Sequence, residues 1–167
     1  FSFASYPASS LFFTQLQQKG PALRLTLPGP ELPIRRMNPI RSICVYCGSS
    51  SGRNGTYVAA GHALGRSMAE AGVQLVYGGG TKGIMGAVAR GVIAGGGAVT
   101  GIIPRFLISK EASGAALGDL DEVIVTEDMH TRKHAMFEKS DAFVALPGGI
   151  GTLEEVVEIM TWAQLGR

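Results

Sequence analysis

Between Ile43 and Leu165, short continuous apolar runs alternate with longer stretches in which apolar residues recur at helical spacing. Ile43-Cys44-Val45-Tyr46 is one such run, closed by Gly48-Ser49-Ser50, and Tyr57 to Ala71 has the periodicity of a helix stopped by Gly72. Val73 to Tyr77 predicts a second strand opening into Gly78-Gly79-Gly80, Ile84 to Ala94 a second helix ended by Gly95-Gly96-Gly97, and Ala98 to Ile103 a third strand. A polar loop from Pro104 to Leu120 then precedes a strand at Glu122 to Thr126, a helix at Thr131 to Ser140, a strand at Ala142 to Leu146 and a last helix from Thr152 to Leu165. Strands that are apolar on both faces and separated by helices need cover on both sides. The pattern predicts an α/β, Rossmann-like fold: a parallel sheet with helices on both faces and right-handed crossovers.

The first 36 residues lack either periodicity and hold five of the eight prolines and four of the seven phenylalanines. With a Ser/Phe-rich opening and Met37 just ahead of the first strand, they read as a leader or transit-like segment outside the fold, leaving 37–167 as the domain. The last helix runs into Gly166-Arg167, where another strand is expected, so the domain reads as lacking a C-terminal strand and helix. Separating the leader changes the meaning of the charge. The whole chain has a formal net charge of +2, but from Met37 onward 11 basic residues face 12 acidic ones. A basic nucleic-acid surface is therefore not expected. Two cysteines, Cys44 and Cys47, are too few for a disulfide scaffold, and no apolar run reaches the length of a membrane span. The expected setting is cytoplasmic, or organellar if residues 1–36 act as a transit peptide.

Ligands of open parallel sheets bind beyond the carboxyl ends of the strands, which directs attention to the segments that follow them. Gly78-x-Gly80-x-x-Gly83 has the outline of a dinucleotide fingerprint, yet no acidic residue occurs between Gly83 and Glu111 to hold ribose hydroxyls. A tight turn or a non-redox nucleotide site fits better. Pro147-Gly148-Gly149-Ile150-Gly151-Thr152-Leu153-Glu154-Glu155 is a glycine loop leading into a helix, where bare backbone N–H groups and the helix dipole suit a phosphate. The same residues also fit an ordinary helix start, with Glu154 and Glu155 favoured by the dipole. Arg132 and Lys133 sit early in the preceding helix, against that helix's dipole; a bound phosphate would account for them, and so would a solvated surface pair. Cys44 and Cys47 lie three apart in a strand and point to opposite faces, while Met85, Met129, Met136 and Met160 read as core fillers.

Met129-His130-Thr131-Arg132-Lys133 followed by Pro147-Gly148-Gly149-x-Gly151-Thr152-x-x-Glu155 resembles the LONELY GUY family of cytokinin riboside 5′-monophosphate phosphoribohydrolases, often mislabelled lysine decarboxylases. The resemblance extends from about Ile40 to Arg167 and takes in Tyr77-Gly78-Gly79-Gly80 and Thr161-Trp162-Ala163-Gln164-Leu165-Gly166. It implies hydrolysis of the N-glycosidic bond of an adenine-type nucleoside 5′-monophosphate to free base and ribose 5-phosphate, without a metal or redox cofactor. By resemblance Arg132 and Glu155 are catalytic, and Glu111, Lys133, Gly149, Ile150, Gly151, Thr152, Glu154 and Thr161 contact substrate. Gly148, Gly149, Gly151 and Thr152 would hold the phosphate. A homodimer with active sites near the subunit interface is also implied, with no membrane or nucleic-acid partner. Two other readings share the fold: a general AMP nucleosidase and a non-catalytic nucleotide or cofactor carrier. Glu155→Gln and Arg132→Ala are each expected to abolish turnover with folding intact.

Overall fold

The computed structural model describes residues 39–53, 55–112 and 117–166. They belong to the second of two units into which the chain divides, Met37–Arg167; the expected leader, residues 1–36, lies outside the described residues. Five strands, β1 (Ser42–Tyr46), β2 (Gln74–Tyr77), β3 (Val99–Pro104), β4 (Glu122–Thr126) and β5 (Ala142–Ala145), pair in parallel in the order β4-β3-β2-β1-β5. Helices α1 (Thr56–Glu70) and α2 (Gly83–Ala94) connect β1 to β3, and the short α3 (Ile108–Glu111) follows β3. Helix α4 (Met129–Glu138) joins β4 to β5, and α5 (Ile150–Gln164) follows β5.

Strand alternation divides the core between the two faces. Val45, Cys47, Leu75, Tyr77 and Val99 point toward α1 and α2, where they pack with Met68, Ile84, Val88 and Val92. Cys44, Tyr46, Val76 and Ile102 point the other way, against Met136 of α4 and partly buried Val156 and Ile159 of α5. The two cysteines thus fall on opposite faces, as their spacing predicts. Successive strands step away from β1 as far as β4, after which β5 returns to the other side of β1. Reversing direction while keeping crossovers right-handed moves the connecting helix to the other face, where α4 is found. The carboxyl ends of β1 and β5 therefore flank the switch point at which such sheets bind ligands.

Three segments differ from their expected boundaries by more than a single residue. Helix α4 starts at Met129 instead of Thr131, because the Asp128 carboxylate accepts a 2.7 Å hydrogen bond from the Thr131 N–H and caps it. Helix α5 starts at Ile150, inside the glycine loop, with Gly149 as an N-cap that offers no side chain. The polar loop expected from Pro104 is shorter: Pro104 ends β3 opposite Thr126, and a tight turn over Arg105–Leu107 leads into α3. Having no N–H, proline is tolerated at that strand end.

Candidate active site

A cleft of about 350 Å³ opens at the β1–β5 switch point. Its walls come from every strand end singled out in the sequence: Gly48 and Ser49 after β1, Gly78 after β2, Arg132 after β4, and Gly149 to Thr152 after β5. Met85, Met129 and Met136 add apolar, deformable lining to the cleft, and Met85 and Met136 are also buried in the core, as expected. Met160 departs from the core-filler reading, standing exposed on α5.

Arg132 is buried, although it lies early in α4 where the helix dipole disfavours a cation. The compensation lies in the sheet. Its Nε donates to the Ile102 carbonyl and its Nη2 to the Gly78 carbonyl, each at 3.1 Å, so the guanidinium spans the ends of β3 and β2. Nη1 lies 3.6 Å from Sδ of Met129. Of five N–H donors, two serve those carbonyls, and the group still borders the cleft. Gly78 makes this possible, since a Cβ there would collide with Nη2 of Arg132. Gly78→Ala is expected to destabilise the domain by about 1–3 kcal/mol, the usual cost of overpacking, measured by urea unfolding.

The loops after β1 and β5 touch at their glycines. Gly48 donates its N–H to the Pro147 carbonyl at 3.1 Å, and a Cβ on Gly148 would collide with the Thr152 side chain. This close approach brings the first turn of α5 to the cleft without a side-chain cap. Helix starts of this kind present uncommitted N–H donors to an anion. The start of α4, by contrast, is occupied by its own Asp128.

Glu155 follows one turn into α5 and lines the same cleft. Burial pushes its carboxyl from the usual 4.5 up to about 7; Arg132 opposes the shift, Glu154 adds to it, and Lys133 and Glu111 act in smaller, opposite senses. A carboxyl that changes charge near neutral pH beside a buried guanidinium suits proton handling or stabilisation of a developing cation. The two thiols offer no comparable chemistry, since burial pushes Cys44 and Cys47 up to about 12.

The structure brings most of the expected residues together. Glu111, Arg132, Gly149, Ile150, Gly151, Thr152, Glu154 and Glu155 all line the cleft. Gly148 is not among the lining residues but packs closely against Thr152 and Gly48, which are. Lys133 is turned toward α5, with Nζ 2.5 Å from Glu154 and 3.0 Å from Glu158. Thr161 is farther along α5, where its hydroxyl donates to the Val157 carbonyl at 2.8 Å. Glu111 is anchored through its backbone, its carbonyl accepting the Thr81 N–H at 2.9 Å. Sequence reasoning missed Glu158; the available signal was its spacing four residues after Glu154, which puts both carboxylates on one helix face.

Comparison with known proteins identifies the family. A family model described as "Possible lysine decarboxylase" matches residues 85–167. A probable cytokinin riboside 5′-monophosphate phosphoribohydrolase of Oryza sativa subsp. japonica is 54% identical over 126 residues, covering 75% of this chain and 54% of the relative. A cytokinin riboside 5′-monophosphate phosphoribohydrolase of Arabidopsis thaliana is 50% identical over 126 residues, covering 75% and 57%. The chain spans about half the length of the curated relatives it matches. Among solved structures, the molybdenum cofactor carrier protein of Chlamydomonas reinhardtii matches with a TM-score of 0.62 at 25% identity, over 73% of this chain and 71% of that one. The molybdenum cofactor binding protein of Rippkaea orientalis matches with a TM-score of 0.57 at 28% identity, over 70% and 68%. With about half of its aligned residues shared with these phosphoribohydrolases, the chain belongs to the LONELY GUY family.

Proposed function

We propose that the cleft hydrolyses the N-glycosidic bond of adenine-type nucleoside 5′-monophosphates, cytokinin riboside 5′-monophosphates in particular, releasing free base and ribose 5-phosphate. The observation that carries this reading is Glu155, whose carboxyl titrates near neutrality beside Arg132 in a cleft that also holds the uncapped start of α5. The 5′-phosphate sits on the N–H groups of the Gly149–Thr152 turn, and its binding energy aligns the reacting bond. As the bond from ribose C1′ to the base nitrogen breaks, positive charge grows on the ribose and negative charge on the base. Ionised Glu155 stabilises the first or orients the attacking water, and Arg132 offsets the second. Water oxygen bonds to C1′, and a proton ends on the departing base.

The name of the matching family suggests lysine decarboxylation, which needs a reactive amine to hold an aldehyde cofactor. The cleft-lining residues include no lysine: Lys133 is paired with Glu154 and Glu158, Lys139 with Glu122, and Lys82 and Lys110 are exposed. The residues do not fit that group.

Two other readings remain distinct. A general AMP nucleosidase would use the same groups, and the structural likeness to molybdenum cofactor carriers favours a carrier that binds without cleaving. Incubation with AMP and with N6-isopentenyl AMP, followed by chromatography, separates them. Base released from the prenylated nucleotide alone supports the cytokinin reading, and release from both supports the general nucleosidase. Saturable binding without release from either supports the carrier.

The proposal extends to a homodimer, for which α5 offers exposed apolar Ile150, Leu153, Val157 and Met160 beside the cleft. It takes 37–167 as the working domain and 1–36 as a leader, in the cytoplasm or in an organelle to which that leader directs it. Among the described residues no helix is long and apolar enough to cross a membrane.

A further inference from the structure

Helix α5 carries Glu155 but has few anchors. None of its side chains is fully buried, and its first turn lacks a side-chain cap. Its apolar attachments come later in the helix: partly buried Val156 and Ile159 against the core, and Trp162, whose ring meets Phe137 edge-on at 4.9 Å. At the level of Glu155 the link to α4 is ionic. Among the described residues both ion pairs that join α4 to α5 end on Lys133, one from Glu154 and one from Glu158.

Helical geometry gives the arrangement its meaning. Glu154 and Glu158 stand one turn apart on the face toward α4, and Glu155 is displaced around the helix into the cleft. On α4, Lys133 points at α5 while its neighbour Arg132 enters the sheet. A tie from Lys133 to this turn of α5 thus holds the backbones that carry Arg132 and Glu155. The two carboxylates are not equivalent. Glu154 is closer to Lys133, but its side chain is 54% exposed and screened by water, whereas Glu158 is 23% exposed against 14% for Lys133. Burial works against the charge on Lys133, yet its bonds to Glu154 and Glu158 prevail and raise its pKa.

We infer that Glu158 is a positioning residue: by holding Lys133 it sets the placement of Glu155 relative to Arg132. The kinetic consequences rest on the proposed hydrolysis; the geometric link does not. Glu155 is faced by Arg132 and Lys133 from α4, Glu154 from its own helix, Glu111 from α3, Cys44 and Tyr46 from β1, and Cys47 just after β1. Cys44, Tyr46 and Cys47 are uncharged at neutral pH, because burial raises each of them. Lys133 pulls the Glu155 titration down. Removing Lys133 breaks the tie and removing Glu158 leaves only its exposed half, the pair with Glu154, while the two changes alter the charge at this turn of α5 in opposite senses.

The test uses the whole chain, with the Glu155 carboxyl titrated by carbon-13 NMR in wild type, Lys133→Met and Glu158→Gln, and kcat and KM measured for AMP and N6-isopentenyl AMP. Circular dichroism checks that each variant folds, and the isosteric Glu158→Gln leaves packing in place. The Glu155 midpoint is expected to rise in Lys133→Met and to fall in Glu158→Gln, by about half a pH unit or more. In both, kcat is expected to drop about tenfold or more while KM changes by less than about threefold. Midpoints that stay put or move in the same direction overturn the inference, as does a loss in Glu158→Gln that falls on KM alone. If wild type releases no base but the midpoints move oppositely, the hydrolysis reading fails and the positioning link stands. If wild type turns over and neither variant changes its midpoint or kcat, only the link fails.

Discussion

Glu155→Gln is expected to lower base release by about two to three orders of magnitude, the scale of losing one well-placed electrostatic or acid–base group, and at the same time to stabilise the fold above neutral pH. The opposition has one cause. Burial raises the Glu155 pKa from 4.5 to about 7, so the folded protein holds that proton more tightly than the unfolded chain does. The stability associated with this group is fully present below pH 4.5 and is lost as the pH rises through about 7. Glutamine fills the same space and cannot ionise. The variant should match wild type near pH 4 and exceed it at pH 8.5 by up to about 3 kcal/mol. Urea unfolding at the two pH values checks the sign: equal stabilities at pH 8.5 would show that Glu155 ionises in the fold without penalty. On the proposed mechanism, this carboxyl is an instance of stability given up for activity.

Arg132→Ala is expected to cost about 3–5 kcal/mol as well as turnover, where the sequence alone suggested that folding would stay intact. The arginine is only 5% exposed, and removing it strips the Ile102 and Gly78 carbonyls of their donors. It also removes the charge that most opposes the upward shift of Glu155. Arg132→Lys separates the two effects. A single ammonium cannot reproduce a planar fork reaching two carbonyls, so this variant should remain folded at 25 °C yet lose about a hundredfold in base release. Thermal unfolding followed by circular dichroism gives the stability, and steady-state kinetics the rate. An Arg132→Ala protein as stable as wild type would show that the two carbonyls find water without penalty.

The sheet was legible because buried parallel strands leave short apolar runs, and those of β1, β2 and β5 are punctuated by glycine where the chain turns beyond the sheet. The cleft was legible for the same reason: strand ends, glycine loops and the helix start after Pro147 all fall on one edge. Arg132 could be named from its motif, but its carbonyl partners lie 30 and 54 positions away and leave no mark on side-chain chemistry. Its place against the helix dipole suggested a phosphate, and the structure shows an internal compensation. Lys133, expected at the substrate, turns to two acids of the next helix, an encounter set by how α4 and α5 pack. Helix starts moved by two residues where Asp128 caps α4 and where Gly149 lets α5 begin inside the loop. Met160 shows the remaining limit: apolar periodicity marks a helix face without saying what lies against it.

The central claim is that this cleft cleaves a nucleotide through a carboxyl titrating near neutrality. The most direct test follows free base and ribose 5-phosphate released from N6-isopentenyl AMP by the whole chain between pH 5 and 9. The account predicts equal amounts of the two products and a kcat/KM that rises through about pH 7 as Glu155 ionises. Absence of base release across that range by folded protein, or release with a flat pH profile, would contradict it.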